Sequence, residues 1–135
     1  MYRIEKKPYG YKLTFSGFIQ AAEMQKWVEE SRKALAAAPS KFGVLVDMRT
    51  LKPLAADAQA LMQEGQKLYK QKGMVRSAVV VDSAMTKMQF QRIARTSGIY
   101  QWERYIDGSS VKNWEQVAAD WITRAIDPDK KPVGA

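Results

Sequence analysis

The sequence contains neither cysteine nor histidine among its 135 residues. These absences exclude disulfide bonds, thiolate and imidazole metal sites, and every mechanism built on a Cys–His or Ser–His pair. The 8 glycines are isolated, and none falls into the GxGxxG or GxxxxGK[ST] spacing of phosphate-binding loops. We therefore expect neither nucleotide binding by such loops nor a resident cofactor.

Long apolar runs are missing as well. The longest aliphatic stretch is Ala78 to Val81, whereas a membrane span needs about 20 apolar residues. The first residues, Met1 to Lys7, contain no apolar stretch of signal-peptide length. These observations predict a cytoplasmic protein without a membrane span.

The composition is that of one globular domain with an excess of positive charge. Apolar residues make up 46% and charged residues 27% of a chain whose length suits a single core. We expect one domain over residues 1–127 and a flexible polar tail over 128–135. The 22 Lys and Arg outnumber the 14 Asp and Glu, and a net charge of +8 suits an anionic partner.

Hydrophobic periodicity predicts five strands. Residues 2–15 alternate with period two around a turn at Lys6–Pro8, which predicts an antiparallel hairpin. Continuous apolar runs at 42–47 and 77–82 are typical of strands covered on both faces, and a short strand follows at 103–107.

Four helices are predicted between and after these strands. Their apolar residues recur at helical spacing over about 20–38, from Pro53 to Gly73, over 84–97 with Gly98 as its end, and over 113–126. Asn113 and Gln116 are placed as a variant capping box for the last helix. The order β-β-α-β-α-β-α-β-α makes the helix-connected strands parallel. We predict an α/β sandwich around a mixed, mostly parallel sheet.

Three stretches carry a resemblance to a known family: the aromatic hairpin ending in Phe15–Phe18, the strand Val44–Arg49, and the closing helix with Ala118 and Trp121. With the element order, they resemble the STAS superfamily, the fold of bacterial anti-sigma factor antagonists. The similarity is greatest to its SpoIIAA-like proteins, which are related in shape to lipid-binding CRAL-TRIO domains. It covers nearly the whole chain and implies a non-enzymatic binding or regulatory module.

One departure from the family concerns its phosphorylation switch. The antagonists carry an Asp-Ser pair, whose serine is phosphorylated, at the start of the helix after the central strand. The corresponding stretch here, Lys52–Ala58, contains no serine. The switch is therefore not carried over to this chain.

Aspartates end three of the predicted strands: Asp47, Asp82 and Asp107. The carboxyl ends of strands are where open α/β sheets bind ligands, so these carboxylates could hold a magnesium ion or serve acid–base chemistry. Alternatively, they cap the following helices or form Asx turns, as the serines after Asp82 and Asp107 suggest. We prefer the second interpretation and expect no enzyme.

Positive charge is concentrated between residues 70 and 104, where seven Lys and Arg face only Asp82 and Glu103. Lys87, Gln91 and Arg95 recur at i, i+4 and i+8, and with Arg92 beside them they predict a basic stripe along the exposed side of the third helix. Tyr100 and Trp102 follow that helix. The stripe is either a solvated helix face or a site for an anionic partner. Because most aromatic residues fall in strands or on apolar helix faces, the pattern argues against nucleic acid.

The stretch Met48–Pro53 is predicted to be a loop at the ligand-facing edge. Arg49 and Thr50 could bind an anionic group at the N-terminus of the second helix, or Arg49 could pair with Asp47 or Asp82. Met62, Met85 and Met88 could line a soft apolar surface, but we prefer the interpretation that they fill the core.

The leading hypothesis is a module that binds a protein partner or a second copy of itself. The sequence has the secondary-structure elements of a complete domain but no set of catalytic residues. The alternative is a carrier or sensor of a small apolar or anionic ligand. The candidate binding residues are Asp47, Arg49, Thr50, Asp82, Arg92, Arg95 and Trp102.

Overall fold

A computed structural model describes residues 1–130 of the chain. The predicted fold class is confirmed: five strands form one sheet in the order β1-β2-β3-β4-β5, with β1 and β2 antiparallel and the remaining pairs parallel. The last five residues of the predicted tail, 131–135, lie outside the described residues. The elements are β1 Tyr2–Lys7, β2 Gly10–Gly17, α1 Ala21–Leu35, β3 Phe42–Leu51, α2 Ala56–Lys72, β4 Met74–Val81, α3 Ala84–Ser97, the 3-10 turn Tyr100–Trp102, β5 Glu103–Asp107 and α4 Trp114–Arg124.

The helices cover the two faces of the sheet unequally. The larger apolar core joins alternate residues of the central strands to α1, α2 and α3, and includes Trp27, Val46 and Phe90. The smaller core joins the opposite residues, such as Leu45 and Val80, to α4. Because successive side chains of a strand point to opposite faces, the continuous apolar runs of β3 and β4 supply both cores.

The predicted loop Met48–Pro53 is wrong over its first four residues. Strand β3 continues to Leu51, and Met48 and Leu51 are both buried. Thr50 lies opposite Ser16 of β2 after a register shift, so the pairing with β2 resumes beyond the run that the sequence marks as a strand. The residues Arg49 and Thr50 therefore belong to a strand and not to a helix N-terminus.

Several helix ends differ from the prediction: α1 ends at Leu35 instead of residue 38, and α4 ends at Arg124 instead of residue 126. Helix α2 begins at Ala56 instead of Pro53, because the stretch before it is held to α3 by Gln89, whose side chain binds both the amide and the carbonyl of Leu54. Asn113 precedes α4 without a side-chain capping bond, and the Gln116 amide donates to Asp120 instead. Helix α3 and strand β5 have the predicted bounds.

Candidate functional site

Asp47 and Arg49 form a tightly bonded pair on the α4 side of the sheet. The Arg49 side chain donates to both carboxylate oxygens of Asp47, at 3.0 and 2.9 Å, and its backbone amide donates at 3.1 Å. Burial opposes ionisation of Asp47, but these hydrogen bonds outweigh it and hold the pKa of the carboxyl below its ordinary value. The pairing of Arg49 with Asp47 is confirmed.

The Arg49 guanidinium is also stacked on an aromatic ring. It lies 4.5 Å from the centroid of the Trp114 ring, which begins α4, so the cation is held from two sides. A Cβ at Gly108 would lie 2.8 Å from Asp82 Oδ1 and 3.0 Å from Arg49 Cδ, which places Asp82 and Arg49 around the same glycine. These contacts organise the ends of β3, β4 and β5.

The other two strand ends differ: the Asp107 carboxylate forms the expected turn, whereas after Asp82 the cap of α3 comes from Ser83. Asp107 accepts from the Ser109 amide and hydroxyl at 2.9 and 2.6 Å, and these bonds lower the pKa of its exposed carboxyl. Ser83 caps α3 by accepting from the Thr86 amide at 3.3 Å. Within residues 1–130, no group of three acidic side chains is placed to hold a metal ion.

Helix α3 presents exposed apolar and basic residues along one stripe. Met62 fills the core as predicted, but the same prediction is wrong for Met85 and Met88, which are 66% and 69% exposed. Arg92 and Arg95 continue their stripe toward the C-terminal end of the helix. Helix α3 contains no acidic residue. Its left-handed terminal residue, Gly98 at φ 90°, ends the helix and turns the chain into Tyr100–Trp102.

The 3-10 turn adds two half-exposed aromatic rings to this stripe. Tyr100 and Trp102 are each 37% exposed. The Arg95 guanidinium lies 4.5 Å from the centroid of the Tyr100 ring, and the Lys70 ammonium of α2 lies 4.0 Å from that of Trp102. We call this surface the α3 face; it comprises Lys70, Met85, Met88, Arg92, Arg95, Tyr100 and Trp102.

The cations of the α3 face have no carboxylate partner among residues 1–130. The ion pairs found there involve neither Lys70, Arg92 nor Arg95. Arg92 donates to the neutral Gln59 side chain at 3.2 Å, and Arg95 donates to the Tyr100 hydroxyl at 3.3 Å. Four of the seven exposed large hydrophobic residues of the described chain also lie on this face. Charge and apolar area are thus combined on one exposed surface.

The structure divides the candidate residues of the sequence into two groups. Asp47 and Arg49 lie near Asp82 on the α4 side, and Thr50 is exposed further along β3. Arg92, Arg95 and Trp102 lie on the opposite side of the sheet, toward the far end of α3, whose 14 residues span about 20 Å. Only the second group shares a surface with uncompensated charge.

A buried acidic residue that the sequence does not single out lies beside the α3 face. Glu103 is 5% exposed, and the Tyr105 hydroxyl lies 2.5 Å from its Oε1. Burial raises the pKa of Glu103 to about 7, and the hydroxyls of Tyr105 and Ser77 offset that rise only in part. The side chain also borders a surface groove of about 330 Å³ between β5, α3 and the 3-10 turn, with Lys87 and Gln91 on its α3 wall. No local signal in the sequence marks Glu103. Its position opposite Ser77 follows from the pairing of β4 with β5, which the sequence does not give.

Comparisons with known proteins do not supply a family. The chain matches no protein-family model, and no curated protein is similar to it in sequence. None of the helices within residues 1–130 combines the length and apolarity that crossing a bilayer requires.

Proposed function

We propose that this protein is a non-enzymatic binding module that docks an acidic segment of a partner protein on the α3 face. The observation that carries the proposal is the coexistence there of exposed Met85 and Met88 with Arg92 and Arg95, neither of which has a carboxylate partner in the described part of the chain. An acidic segment that also contains apolar residues would pair with the two arginines and cover the two methionines. The similarity to STAS proteins stays a prediction and agrees with a binding role.

The strand-end carboxylates support a structural role over a catalytic one. Asp47 is bonded on both oxygens by Arg49, and Asp107 is bonded by Ser109. In both cases the carboxylate is engaged in bonds that organise a strand end, as the capping and turn interpretation expects. This is why the proposal places function on the α3 face.

A protein partner fits the α3 face better than nucleic acid does. Arg95 and Lys70 already lie against the rings of Tyr100 and Trp102, so these rings offer fewer free faces for stacking bases. The two exposed methionines add flexible apolar area, which suits a protein surface and contributes nothing to phosphate contact.

A small-molecule carrier is the second candidate function, and the groove beside β5 favours it. Its volume of about 330 Å³ lies within the range of ligand sites, and polar side chains of Lys87, Gln91 and Gln101 line it. The cavity enclosed between the sheet and α1–α3 measures only about 30 Å³, too small for a lipid chain. A ligand would therefore be small and polar, and extra mass in a native mass spectrum that disappears on denaturation would reveal it.

The docking proposal is tested with acidic polymers as probes. Binding of the full chain to poly(Glu,Tyr), poly-Glu and a single-stranded oligothymidylate is compared by biolayer interferometry. We expect the tightest binding to poly(Glu,Tyr) and at least about tenfold loss in the double variant Arg92→Glu/Arg95→Glu. The double variant Met85→Ser/Met88→Ser should weaken binding to poly(Glu,Tyr) more than to poly-Glu.

A matched pair of reversals elsewhere separates docking from general charge attraction. Lys26 and Lys33 are exposed on α1, and their reversal to Glu changes the net charge by the same amount. This variant should lose affinity for poly(Glu,Tyr) only by as much as its lower net charge slows association, and therefore less than Arg92→Glu/Arg95→Glu. Equal losses in both double variants, or tighter binding to the oligothymidylate than to poly(Glu,Tyr), would overturn the proposal.

A further inference from the structure

The Tyr105 hydroxyl has one proton to donate and two acceptors within hydrogen-bond distance. It lies 2.5 Å from Glu103 Oε1 on its own strand and 3.2 Å from the backbone carbonyl of Phe90 in α3. A phenol donates only one hydrogen bond at a time. Which acceptor receives the proton therefore depends on whether Glu103 can itself donate.

The two protonation states of Glu103 give two different arrangements. When Glu103 is protonated, its hydroxyl donates to the Tyr105 oxygen, and Tyr105 donates onward to Phe90. When Glu103 is ionised, the charged oxygen is the stronger acceptor and takes the Tyr105 proton. The Phe90 carbonyl then loses the bond that joins α3 to β5.

We propose that Glu103 and Tyr105 form a proton-controlled contact that fastens α3, and with it the α3 face, to the edge of the sheet. Protonation of Glu103 closes the chain of hydrogen bonds from β5 to Phe90, and ionisation opens it. The contact is buried on the helix side, since Phe90 is fully buried, and borders the surface groove on the other, through which protons exchange with solvent.

Within residues 1–130, Glu103 takes part in no ion pair. Arg104 is engaged by Asp127 at 2.9 and 3.1 Å, and Tyr69 of α2 keeps its proton because burial raises its pKa to about 12. The titration therefore falls close to neutral pH, since burial raises the pKa of Glu103 to about 7. The charged and titratable groups around the pair are Tyr69 from α2, Lys87 and Arg95 from α3, Tyr100 from the 3-10 turn, Arg104 from β5, and Asp127 and Asp129 from the segment after α4.

A consequence for binding rests on the proposed function. A partner that needs α3 held in place binds the protonated form more tightly, so its affinity falls as the pH rises through 7. The contact itself exists in the free protein and is tested there, so a failure of the docking experiment leaves it standing.

The test uses NMR on the free full chain. The carboxyl carbon of Glu103 is titrated, and hydrogen exchange of the α3 amides is measured at pH 6 and 8 with correction for the intrinsic rates. We expect Glu103 to titrate near pH 7 and the α3 amides to open about fivefold more often at pH 8, as loss of one hydrogen bond allows. The variant Glu103→Gln should show no such change, because its amide donates to Tyr105 at every pH.

Two further variants make the result decisive. Glu115→Gln alters an exposed carboxylate, 67% exposed, and should behave as the wild type. Tyr105→Phe removes the shared proton, so α3 exchange should become independent of pH while Glu103 titrates at a higher pH than in the wild type. Titration of wild-type Glu103 in the ordinary carboxyl range, or the same pH response of α3 in the wild type and Tyr105→Phe, would overturn the proposal.

Discussion

Glu103 makes the free energy of unfolding depend on pH in the neutral range. Its pKa is raised from 4.5 to about 7 by burial, so between these values the folded chain holds a proton that the unfolded chain has released. The stabilisation is complete below pH 4.5 and is lost as the pH rises to 7. A shift of this size corresponds to about 3 kcal/mol, which urea unfolding at pH 5, 6, 7 and 8 measures.

The variant Glu103→Gln isolates this dependence. A neutral amide has no proton to lose, so the decline in stability between pH 5 and 7 should be shallower than in the wild type by nearly the whole Glu103 contribution. Glu115→Gln again serves as the exposed control. Parallel stability curves for Glu103→Gln and the wild type would show that the carboxyl is not protonated in the folded state.

Asp47 shows the opposite sign at acid pH. Its pKa is held below the ordinary value by Arg49, so it stabilises the fold above its unfolded-state pKa, and this stabilisation is lost as the pH falls through the folded-state value. Asp47→Ala removes both bonds to the Arg49 side chain and should lower the free energy of unfolding by about 1 kcal/mol at pH 7. Thermal unfolding with and without magnesium measures both effects; we expect no magnesium effect, and a magnesium-dependent rise in Tm that Asp47→Ala abolishes would instead show a metal site.

The residue scale also shows where sequence reasoning stops. The Asp47–Arg49 pair was foreseeable as one of two pairings of Arg49, but the shared strand face that brings the two side chains together was not, because the sequence predicts a loop at Arg49. Glu103 was not foreseeable, because its environment depends on Ser77, a cross-strand neighbour, and on Tyr105, whose hydroxyl also reaches the Phe90 carbonyl of a helix. Such tertiary neighbours leave no signal in local spacing.

At the scale of elements, α1 packs closely against α2 because the ring of Trp27 lies against the backbone of Gly65, which has no side chain. A Cβ at Gly65 of α2 would lie 2.0 Å from Cζ3 of Trp27, which is buried between Phe15 and Tyr69. A Cβ so close to a buried ring forces the ring or the helix to shift, so Gly65→Ala should destabilise the fold by about 1–3 kcal/mol despite the better helix propensity of alanine. Urea unfolding gives the value.

The reverse exchange on the same helix is the control for Gly65→Ala. Ala60 is exposed on α2, so Ala60→Gly should cost only the difference in helix propensity, about 1 kcal/mol. If Gly65→Ala stabilised the protein by a similar amount, the two helices would not be in close contact at this point.

Element order was predictable, whereas some element ends were not. Local patterns predict α3 and β5 because each is bounded by its own signals, such as Gly98. The extension of β3 to Leu51 depends on pairing with β2 after a register shift, and the late start of α2 depends on Gln89 of a different helix. Where contacts with other elements determine the end of a helix or strand, the local sequence pattern does not predict it.

For the whole molecule, the distribution of charge matters more than its sum. A net charge of +8 attracts any anionic partner over about 8 Å at physiological ionic strength, whichever face the partner finally contacts. Long-range attraction is therefore common to every face of the molecule. The α3 face is distinguished by the short-range contacts that it offers to a bound partner. Association and dissociation rates should therefore respond to different features.

The two double variants separate these features. Arg92→Glu/Arg95→Glu and Lys26→Glu/Lys33→Glu lower the net charge equally, so both should slow association with poly(Glu,Tyr) to a similar extent, and added salt should reduce the difference from the wild type. Only the first removes contacts on the proposed docking surface, so it alone should speed dissociation, by about tenfold. Kinetic traces at 50 and 300 mM salt give both rates. Equal dissociation rates in the two variants would mean that poly(Glu,Tyr) is held by net charge and that α3 is no docking surface.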